Sequence, residues 1–318
     1  MVHYRGNYRK RGDKIRMQII MLNGGLGNQM FQYIFALYLA QKNAHVVLED
    51  SAFFDAHVEP DLFKIPKFFP AGIFPRLSEY FSPDVWEEML LLKERGKSMI
   101  EQLYEGGLPI HYVQEMNSAG PSCAAPTTII KKDAPAVSVN LSHEQTVYFW
   151  GYWITDFYFR EIQDTFLSQF HFPSFPTTAQ EELARRICSF QNAAAIHVRR
   201  GDMAKLGRSN PLQYFRQAIR KLESLIHIDH FYLFSDDLPY CMNHAKELGL
   251  TSIRSRLTVV DGNRGAHDYV DMQLMSLCRF RIIDQSSFSF LAGLLCRLPG
   301  NLTIFYDASK LSGCSFSI

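Results

Sequence analysis

The sequence predicts an α/β protein with two domains, each a parallel β-sheet covered by helices. Near the start, a short apolar strand at 17–22 leads into a glycine turn and an apolar helix, the opening unit of many nucleotide-binding domains. Beyond residue 176, apolar strands alternate with helix-like stretches, which is typical of a second parallel sheet. The 318 residues suffice for two cores, because single cores stop growing near roughly 250–300 residues.

The boundary between the domains is predicted at the proline-rich segment HFPSFPTT, residues 171–178, which is typical of an interdomain crossing. We therefore predict an N-terminal domain at 17–175 and a C-terminal domain at 176–318, both Rossmann-like and facing a central cleft. Prolines recur between residues 60 and 135, where we predict helical hairpins. The predicted strands of the second domain are 193–198, 231–234, 257–260, 280–283 and 301–306, and its predicted helices are 212–225, 240–248, 268–278 and 286–296.

The composition excludes a broad attraction to nucleic acid or acidic membranes. Lys and Arg number 33 against 32 for Asp and Glu, so any anion must be bound locally. The six cysteines form no C-x-x-C pair, which predicts free thiols in a reducing compartment. We find neither a signal peptide nor an apolar run of the roughly 18–20 residues that span a bilayer. The cytoplasm is the predicted location, with peripheral contact of the basic leader, residues 1–16, with the inner membrane as an addition.

The glycine turn after the first strand is the first candidate site. Gly25 and Gly27 let the backbone approach a ligand closely, but the third position of a G-x-G-x-x-G dinucleotide motif is Met30. Asn28 then opens an otherwise apolar helix. It either caps that helix or presents its amide to a ligand, and the sequence leaves both open.

The second candidate follows the strand at 193–198, where His197, Arg199, Arg200 and Asp202 stand close together. Burying several charges there would be costly without a partner, and a diphosphate would be a suitable one. The planar guanidinium of Arg matches phosphate oxygens and never loses its proton. The alternative is an internal ion pair between Arg200 and Asp202.

The third candidate follows the strand at 280–283, where Ser286, Ser287 and Phe288 begin a helix. Hydroxyls and unbonded backbone N–H groups at the positive end of a helix dipole make an anion site. The alternative is ordinary serine capping of the helix.

Carboxylates supply the fourth candidate, which includes Asp236 with its neighbour Asp237, and Asp271. A carboxylate can accept two hydrogen bonds from the N1–H and N2–H₂ edge of guanine. Alternatively, each aspartate complements the dipole of a helix that it begins. The adjacent pair does not have the D-x-D spacing of a metal–diphosphate site, and no His, Cys or Glu cluster has metal-ligand spacing. We predict no metal and no cofactor.

Five ordered motifs together resemble the bacterial α-1,2-fucosyltransferases. These motifs are GGLGNQMFQYIFALYLA, IHVRRGD, FSDD, DMQLMSLC and SSFS. The segment FWGYWITDFYF also resembles a family stretch before the second domain. The resemblance implies a GT-B fold and a hexosyltransferase that moves L-fucose from GDP-β-L-fucose to O2 of a terminal galactose. The transfer would be inverting and metal-independent, and it would form an α-1,2 linkage in a surface polysaccharide or O-antigen. GDP-fucose and a galactose-terminated glycan are therefore the expected partners.

The resemblance also implies roles for individual residues. The N-terminal domain would face the acceptor and the C-terminal domain would bind GDP-fucose. Arg199 would hold the β-phosphate, Ser287 a phosphate oxygen and Asp271 the guanine edge. His197 would orient the nucleotide and Asn28 would face the transfer centre, while Asp202 is the candidate base nearest in sequence. The remaining predicted donor-binding residues are Gly25, Gly27, Arg200, Asp236, Ser286 and Phe288.

Departures from the family pattern leave the acceptor open. Phe290 and Leu291 stand where relatives have two tryptophans, and the loop after Asp202 lacks a His-Gly-x-Cys stretch. A fucosyltransferase of another linkage and a non-catalytic GDP-sugar-binding relative are therefore alternatives. A dinucleotide-dependent oxidoreductase is a third, suggested by the glycine turn and the acidic pair at 49–50.

Overall fold

The computed structural model describes residues 16–54, 62–116, 118–131, 146–205, 207 and 209–307, together with the backbone of 314–317. The chain divides into two compact units, unit 1 up to Pro173 and unit 2 from Ser174. Most of the basic leader lies outside the described residues. Within the described ranges, no helix is both long and apolar enough to cross a membrane.

Unit 1 contains a five-stranded sheet in the order β2-β1-β5-β3-β4, and every pair in it is parallel. Its strands are β1 (Gln18–Met21), β2 (Val46–Glu49), β3 (Ile110–Glu115), β4 (Thr127–Ile130) and β5 (Thr146–Trp150). Its helices are α1 (Leu26–Gln41), α2 (Pro83–Glu94), α3 (Met99–Glu105) and α4 (Asp156–Gln169).

Helix α1 forms the centre of unit 1. It is apolar on all sides and nearly all of its residues are buried, as expected for a helix without a polar face. Phe35 stacks on Trp153 at 4.4 Å between ring centroids and meets the edges of Phe149 and Tyr158. The predicted strand, glycine turn and buried helix at the start of the chain are therefore confirmed.

The prediction of helical hairpins between residues 60 and 135 was incomplete. Helices α2 and α3 are present, but β3 and β4 also lie in this stretch. In β3 the buried positions do not alternate with exposed ones, because an interior strand is covered on both faces. Its polar residues instead bond to neighbours, as His111 Nε2 does with Thr128 Oγ1 at 2.8 Å.

Unit 2 contains a six-stranded sheet in the order β11-β10-β9-β6-β7-β8, parallel except for the edge strand β11. Its strands are β6 (Ala193–Val198), β7 (His230–Ser235), β8 (Leu257–Val259), β9 (Phe280–Ile283), β10 (Leu302–Tyr306) and β11 (Cys314–Ser317). Its helices are α5 (Thr178–Ser189), α6 (Gly201–Lys205), α7 (Leu212–Leu225), α8 (Leu238–Asn243), α9 (Ala245–Leu248), α10 (Tyr269–Leu277) and α11 (Ser287–Leu294). The predicted α/β class with two parallel sheets is confirmed.

The sheet of unit 2 has a switch point, where two neighbouring parallel strands lead the chain in opposite directions. It lies between β6, which leads to β7 and β8, and β9, which leads to β10. A crevice opens at the carboxyl ends of the strands at such a point, so this place is a candidate for ligand binding. In unit 1, β1 pairs with β5, and the helices that follow these two strands, α1 and α4, pack against each other.

A buried arginine ties β9 to β10. Arg281 is fully buried, and its guanidinium donates to Thr303 Oγ1 at 2.9 Å, to the carbonyl of Cys278 and to Asn301 Oδ1 at 2.6 Å. Gly293 of α11 permits this, since a Cβ there would lie 2.9 Å from Thr303 Oγ1. The arginine thus satisfies two buried acceptors and one partly buried acceptor.

Replacing Arg281 by Met should lower the free energy of unfolding by roughly 3 kcal/mol or more, because two buried acceptors and a partly buried one lose their donor. Arg281→Lys should lose less stability, since the lysine ammonium can still donate to some of these acceptors. Urea unfolding followed by circular dichroism measures both. The matched control is Arg297→Met at an exposed arginine, which should stay within about 0.5 kcal/mol of the parent. Equal stability of the two Met variants would contradict this reading.

Candidate active site

The loops after β6 and β9 are joined at the switch point of unit 2. The backbone N–H of Arg199 donates to Asp284 Oδ2 at 3.2 Å, and that of Asp284 donates to the carbonyl of His197 at 3.2 Å. Asp284 Oδ1 accepts from Gln285 N at 2.8 Å. Burial raises the pKa of Asp284 to about 6, although these N–H bonds oppose the rise. This carboxylate therefore fixes the two loops against each other.

Arg199 presents an accessible cation at this junction. Its Nη1 pairs with Asp236 Oδ2 at 3.0 Å, and 37% of its side chain remains exposed. Asp236 Oδ1 also accepts from Arg200 N at 2.7 Å. The close approach requires Gly201, since a Cβ there would lie 2.5 Å from Asp236 Oδ2. Asp236 thus aligns a guanidinium that a ligand can still reach.

The neighbouring Arg200 is held by other groups. Its guanidinium lies 3.7 Å from the ring centroid of Tyr240, a cation–π contact, and its Nη1 donates to Ser209 Oγ at 3.3 Å. Asp202 lies in α6, but its side chain is outside the described residues. The Arg200–Asp202 ion pair and the role of Asp202 as base therefore stay predictions.

His197 is a neutral residue at the end of β6. It is 6% exposed, and burial, together with the nearby Arg199 cation, lowers its pKa to about 3. Its buried Nδ1 has no hydrogen-bond partner among the described residues. The ring centroid lies 6.0 Å from that of Phe288 on α11. Neutral at pH 7, the imidazole can orient a ligand but adds no positive charge.

The amino end of α11 lies beside the same junction. Ser286 is the N-cap residue, but its side chain makes no capping hydrogen bond, so the alternative of serine side-chain capping at Ser286 was wrong. Ser286, Ser287 and Phe288 are each partly buried. The first N–H groups of a helix carry partial positive charge. In α11 these N–H groups come soon after Asp284 and Gln285. Their partial positive charge therefore lies next to the loop that carries Arg199.

Asp271 occupies the first turn of α10, which packs against α11 and α5. Its Oδ1 accepts from Asn263 Nδ2 at 2.7 Å, and Asn263 Oδ1 accepts from Gln180 Nε2 at 2.6 Å. Burial raises the pKa of Asp271 to about 7, while the bond from Asn263 opposes the rise. This carboxylate can therefore change its charge near neutral pH.

The adjacent aspartates after β7 have different partners. Asp237 is the N-cap residue of α8 and accepts from Tyr240 N at 3.1 Å, as the helix-start alternative predicts. Asp236 instead pairs with Arg199. No group of three or more His, Cys, Asp or Glu side chains in the described ranges is placed to hold a metal ion.

The glycine turn belongs to unit 1. Gly25 is the N-cap residue of α1 and Gly27 is buried in its first turn, so the alternative that Asn28 caps the helix was wrong. Asn28 is the third helical residue, and its amide lies over Gly24, where a Cβ would come within 2.6 Å of Asn28 Nδ2. The positive φ of +75° at Gly24 also requires glycine.

The acidic pair at the end of β2 does not suit a cofactor ribose. Glu49 is 2% exposed and accepts from Ser51 N at 2.8 Å and from the hydroxyl of Tyr148 at 2.7 Å. Asp50 is fully buried. A dinucleotide-binding acidic residue must reach the ribose 2′-hydroxyl, so the oxidoreductase alternative loses its main support.

Several partners of the site could not be assigned from the sequence. Asn263 lies in the segment DGNRG, whose composition indicates a turn but not a contact with Asp271. Tyr240 and Asp284 are similar cases, because their partners Arg200 and Arg199 are 40 and 85 positions away, respectively. Only the sheet order brings these residues together.

Known proteins are similar to this chain in sequence. The profile of glycosyl transferase family 11 matches residues 132–307. An α-1,2-colitosyltransferase of Escherichia coli is 31% identical over 173 residues, 52% of this chain and 57% of that protein. The O-antigen biosynthesis glycosyltransferase WbnK of Escherichia coli is 29% identical over 110 residues, 33% of this chain and 34% of that protein. The matches thus span little more than half of the first relative and a third of the second.

Solved structures extend the similarity of fold over nearly the whole chain. Fucosyltransferase NodZ from Bradyrhizobium has a TM-score of 0.52 at 16% identity and covers 96% of this chain and 99% of its own. NodZ α-1,6-fucosyltransferase soaked with GDP-fucose has a TM-score of 0.51 at 18% identity, with 95% and 98% covered. Since the family profile matches more than half of the sequence, as the ordered motifs predicted, this chain belongs to glycosyl transferase family 11.

Proposed function

We propose that this chain transfers L-fucose from GDP-β-L-fucose to O2 of a terminal galactose, with inversion, in the synthesis of a surface polysaccharide. The observation that carries the proposal is the switch point of unit 2, where the exposed Arg199 and the amino end of α11 are joined through Asp284. A pyrophosphate is the ligand that suits a guanidinium beside a helix amino end.

Different relatives support the linkage and the sugar. One similar protein is named for an α-1,2 transfer and another for O-antigen biosynthesis, whereas the protein of the same fold that was soaked with GDP-fucose is named for an α-1,6 transfer. The GT-B class predicted from the resemblance is part of this proposal, with unit 1 facing the acceptor and unit 2 binding the donor. A colitosyl donor is a second candidate, because the α-1,2 relative is a colitosyltransferase.

The proposed chemistry stabilises the leaving group. As the bond from fucose C1 to the β-phosphate oxygen breaks, negative charge grows on GDP and positive charge on the ring. Arg199 stays protonated and offers several N–H donors, while the N–H groups at Ser287 and Phe288 add the helix dipole. Each such donor contributes roughly 3 kcal/mol at other preorganised sites. This positive charge can stabilise the leaving GDP without a metal or a cofactor.

Other residues would position the nucleotide and the acceptor. His197, kept neutral by burial and Arg199, would orient the nucleotide through hydrogen bonding alone. Asp236 would keep Arg199 aligned, and Asp271 in its ionised form would accept from N1–H and N2–H₂ of guanine. Asn28 would face the transfer centre. The acceptor proton would pass late to Asp202 or to water.

The proposal predicts transfer of labelled fucose from GDP-fucose to lactose and related β-galactosides, with EDTA present and the product linkage read by NMR. An α-1,2 product is expected. An α-1,6 or α-1,3 product would overturn the linkage, and activity with a colitosyl donor alone would overturn the sugar. GDP binding without turnover on any galactoside would identify a binding protein instead.

In the same assay, Arg199→Ala should lower kcat at least about 100-fold, because one leaving-group donor is lost. The kcat of Arg199→Lys should lie between those of Arg199→Ala and the parent, since lysine keeps the positive charge but not the planar guanidinium. The matched control is Arg254→Ala, an exposed arginine of unit 2, which should keep full activity. Urea unfolding checks that each variant is folded. A near-parental kcat for Arg199→Ala would remove Arg199 from the mechanism.

GDP affinity should depend on pH through Asp271, whose pKa is raised to about 7 by burial. Guanine binds the ionised carboxylate, so affinity should rise with pH through that value and level off above it. Well below it, affinity should fall up to about tenfold per pH unit. Calorimetry at pH 6 and 8 measures this. Asp271→Asn should bind GDP weakly, and its affinity should not change with pH through residue 271. Ionisation of the GDP phosphates affects both proteins alike, so it cancels when their pH profiles are compared. Identical pH profiles would contradict the guanine role.

A further inference from the structure

A buried amide joins the carboxyl ends of β1 and β5 in unit 1. Gln32 of α1 is fully buried, and its Nε2 donates to Asn23 Oδ1 at 3.0 Å and to the carbonyl of Gly151 at 2.9 Å. Its Oε1 accepts from Asn23 N at 3.0 Å. One side chain thus joins the loop after β1 to the loop after β5. The two loops form one fixed edge of the sheet.

A buried carboxylate then fixes the loop after β5. Glu115 at the end of β3 is 5% exposed, and its Oε2 accepts from Tyr152 N at 2.8 Å and Trp153 N at 3.3 Å. Trp153 has a φ of +55°, which bulky residues rarely adopt. A Cβ on Gly151 would lie 2.6 Å from Glu115 Cβ. The loop is therefore held in a strained conformation that these contacts maintain.

The held loop presents one aromatic ring to solvent. Gly151 is buried and Trp153 is 3% exposed and stacked on Phe35, whereas Tyr152 between them is 36% exposed. Because Tyr152 is exposed, burial of its ring cannot be the reason for the strained loop. Backbone strain that the surroundings maintain is characteristic of functional sites. A rigid aromatic ring offers a large contact area at little cost in conformational entropy.

We propose that Tyr152 is the stacking platform for the acceptor's galactose ring and that Glu115 is the residue that positions it. The C–H groups on one face of galactose form an apolar surface that suits an aromatic ring. The exposed Gly24 and Gly25 follow β1 at the same carboxyl edge of the sheet, the edge at which parallel sheets bind their ligands. This inference rests on the proposed fucosyl transfer and names the residues of unit 1 that select the acceptor.

The direct test compares Tyr152→Ala and Tyr152→Phe in steady-state transfer from GDP-fucose to the β-galactoside that the parent uses best. Tyr152→Ala should raise the KM for the galactoside at least about tenfold, while Tyr152→Phe, which keeps the ring, should stay near the parent. The KM for GDP-fucose and the Kd for GDP should not change. The exposure-matched control is Phe157→Ala, 40% exposed on α4, which should leave both KM values unchanged.

Glu115 is tested by Glu115→Gln and Glu115→Ala in the same assay. Glutamine keeps an oxygen that accepts from both N–H groups, so its galactoside KM should stay near the parent's. Glu115→Ala should raise that KM with the KM for GDP-fucose unchanged. A merely structural role would lower the urea midpoint of Glu115→Ala without moving either KM.

The outcomes distinguish a failure of this inference from a failure of the proposed function on which it rests. If the parent makes no fucosylated product, the proposed function fails and the acceptor role falls with it. If the parent transfers fucose and Tyr152→Ala keeps the parental galactoside KM, only the acceptor platform is overturned. A loss of GDP binding in Tyr152→Ala would also overturn it, because the ring would then serve the donor or the fold.

Discussion

The candidate donor site depends on one buried carboxylate, Asp284. The polypeptide places it directly after β9, and it accepts the backbone N–H of Arg199 from the neighbouring loop after β6. That contact, the bond from Asp284 N to the carbonyl of His197 and the parallel pairing of β6 with β9 hold a guanidinium beside the amino end of α11. Together they bring two loops 85 positions apart in sequence to one place. This local charge would let a chain with a net charge of only +1 bind the proposed diphosphate.

The carboxyl edges of the two sheets differ in chemistry. In unit 2, the Arg199 guanidinium and the amino end of α11 lie at the switch point, and Asp271 on α10, a helix that packs against α11, has a pKa raised to about 7. In unit 1, an amide and a carboxylate bond to neutral groups and fix the backbone at Tyr152. The proposed anionic donor and neutral sugar acceptor match this difference, because charge recognition suits the first and stacking suits the second.

Much of the fold could be predicted because its patterns are local. The strand β6 and the helix α7 begin and end where the sequence places them, since apolar runs and 3.6-residue periodicity reflect burial directly. Strands β3 and β4 could not be predicted, since their residues lack the alternation of a half-exposed strand. The sequence could nominate Arg199, His197, Ser287 and Asp271 as site residues because charged or hydroxyl groups at strand ends and helix starts are conspicuous. Asp284 and Asn263, which bond to Arg199 and Asp271, and Glu115, which bonds to Tyr152, form contacts over sequence separations that no local pattern encodes.

A crystal structure of the protein with GDP would test the central claim most directly. The account predicts the β-phosphate within hydrogen-bond distance of the Arg199 guanidinium and of the N–H groups at the amino end of α11, with guanine N1 and N2 on the Asp271 carboxylate. GDP bound elsewhere, or with its phosphates away from the β6–β9 switch point, would contradict it.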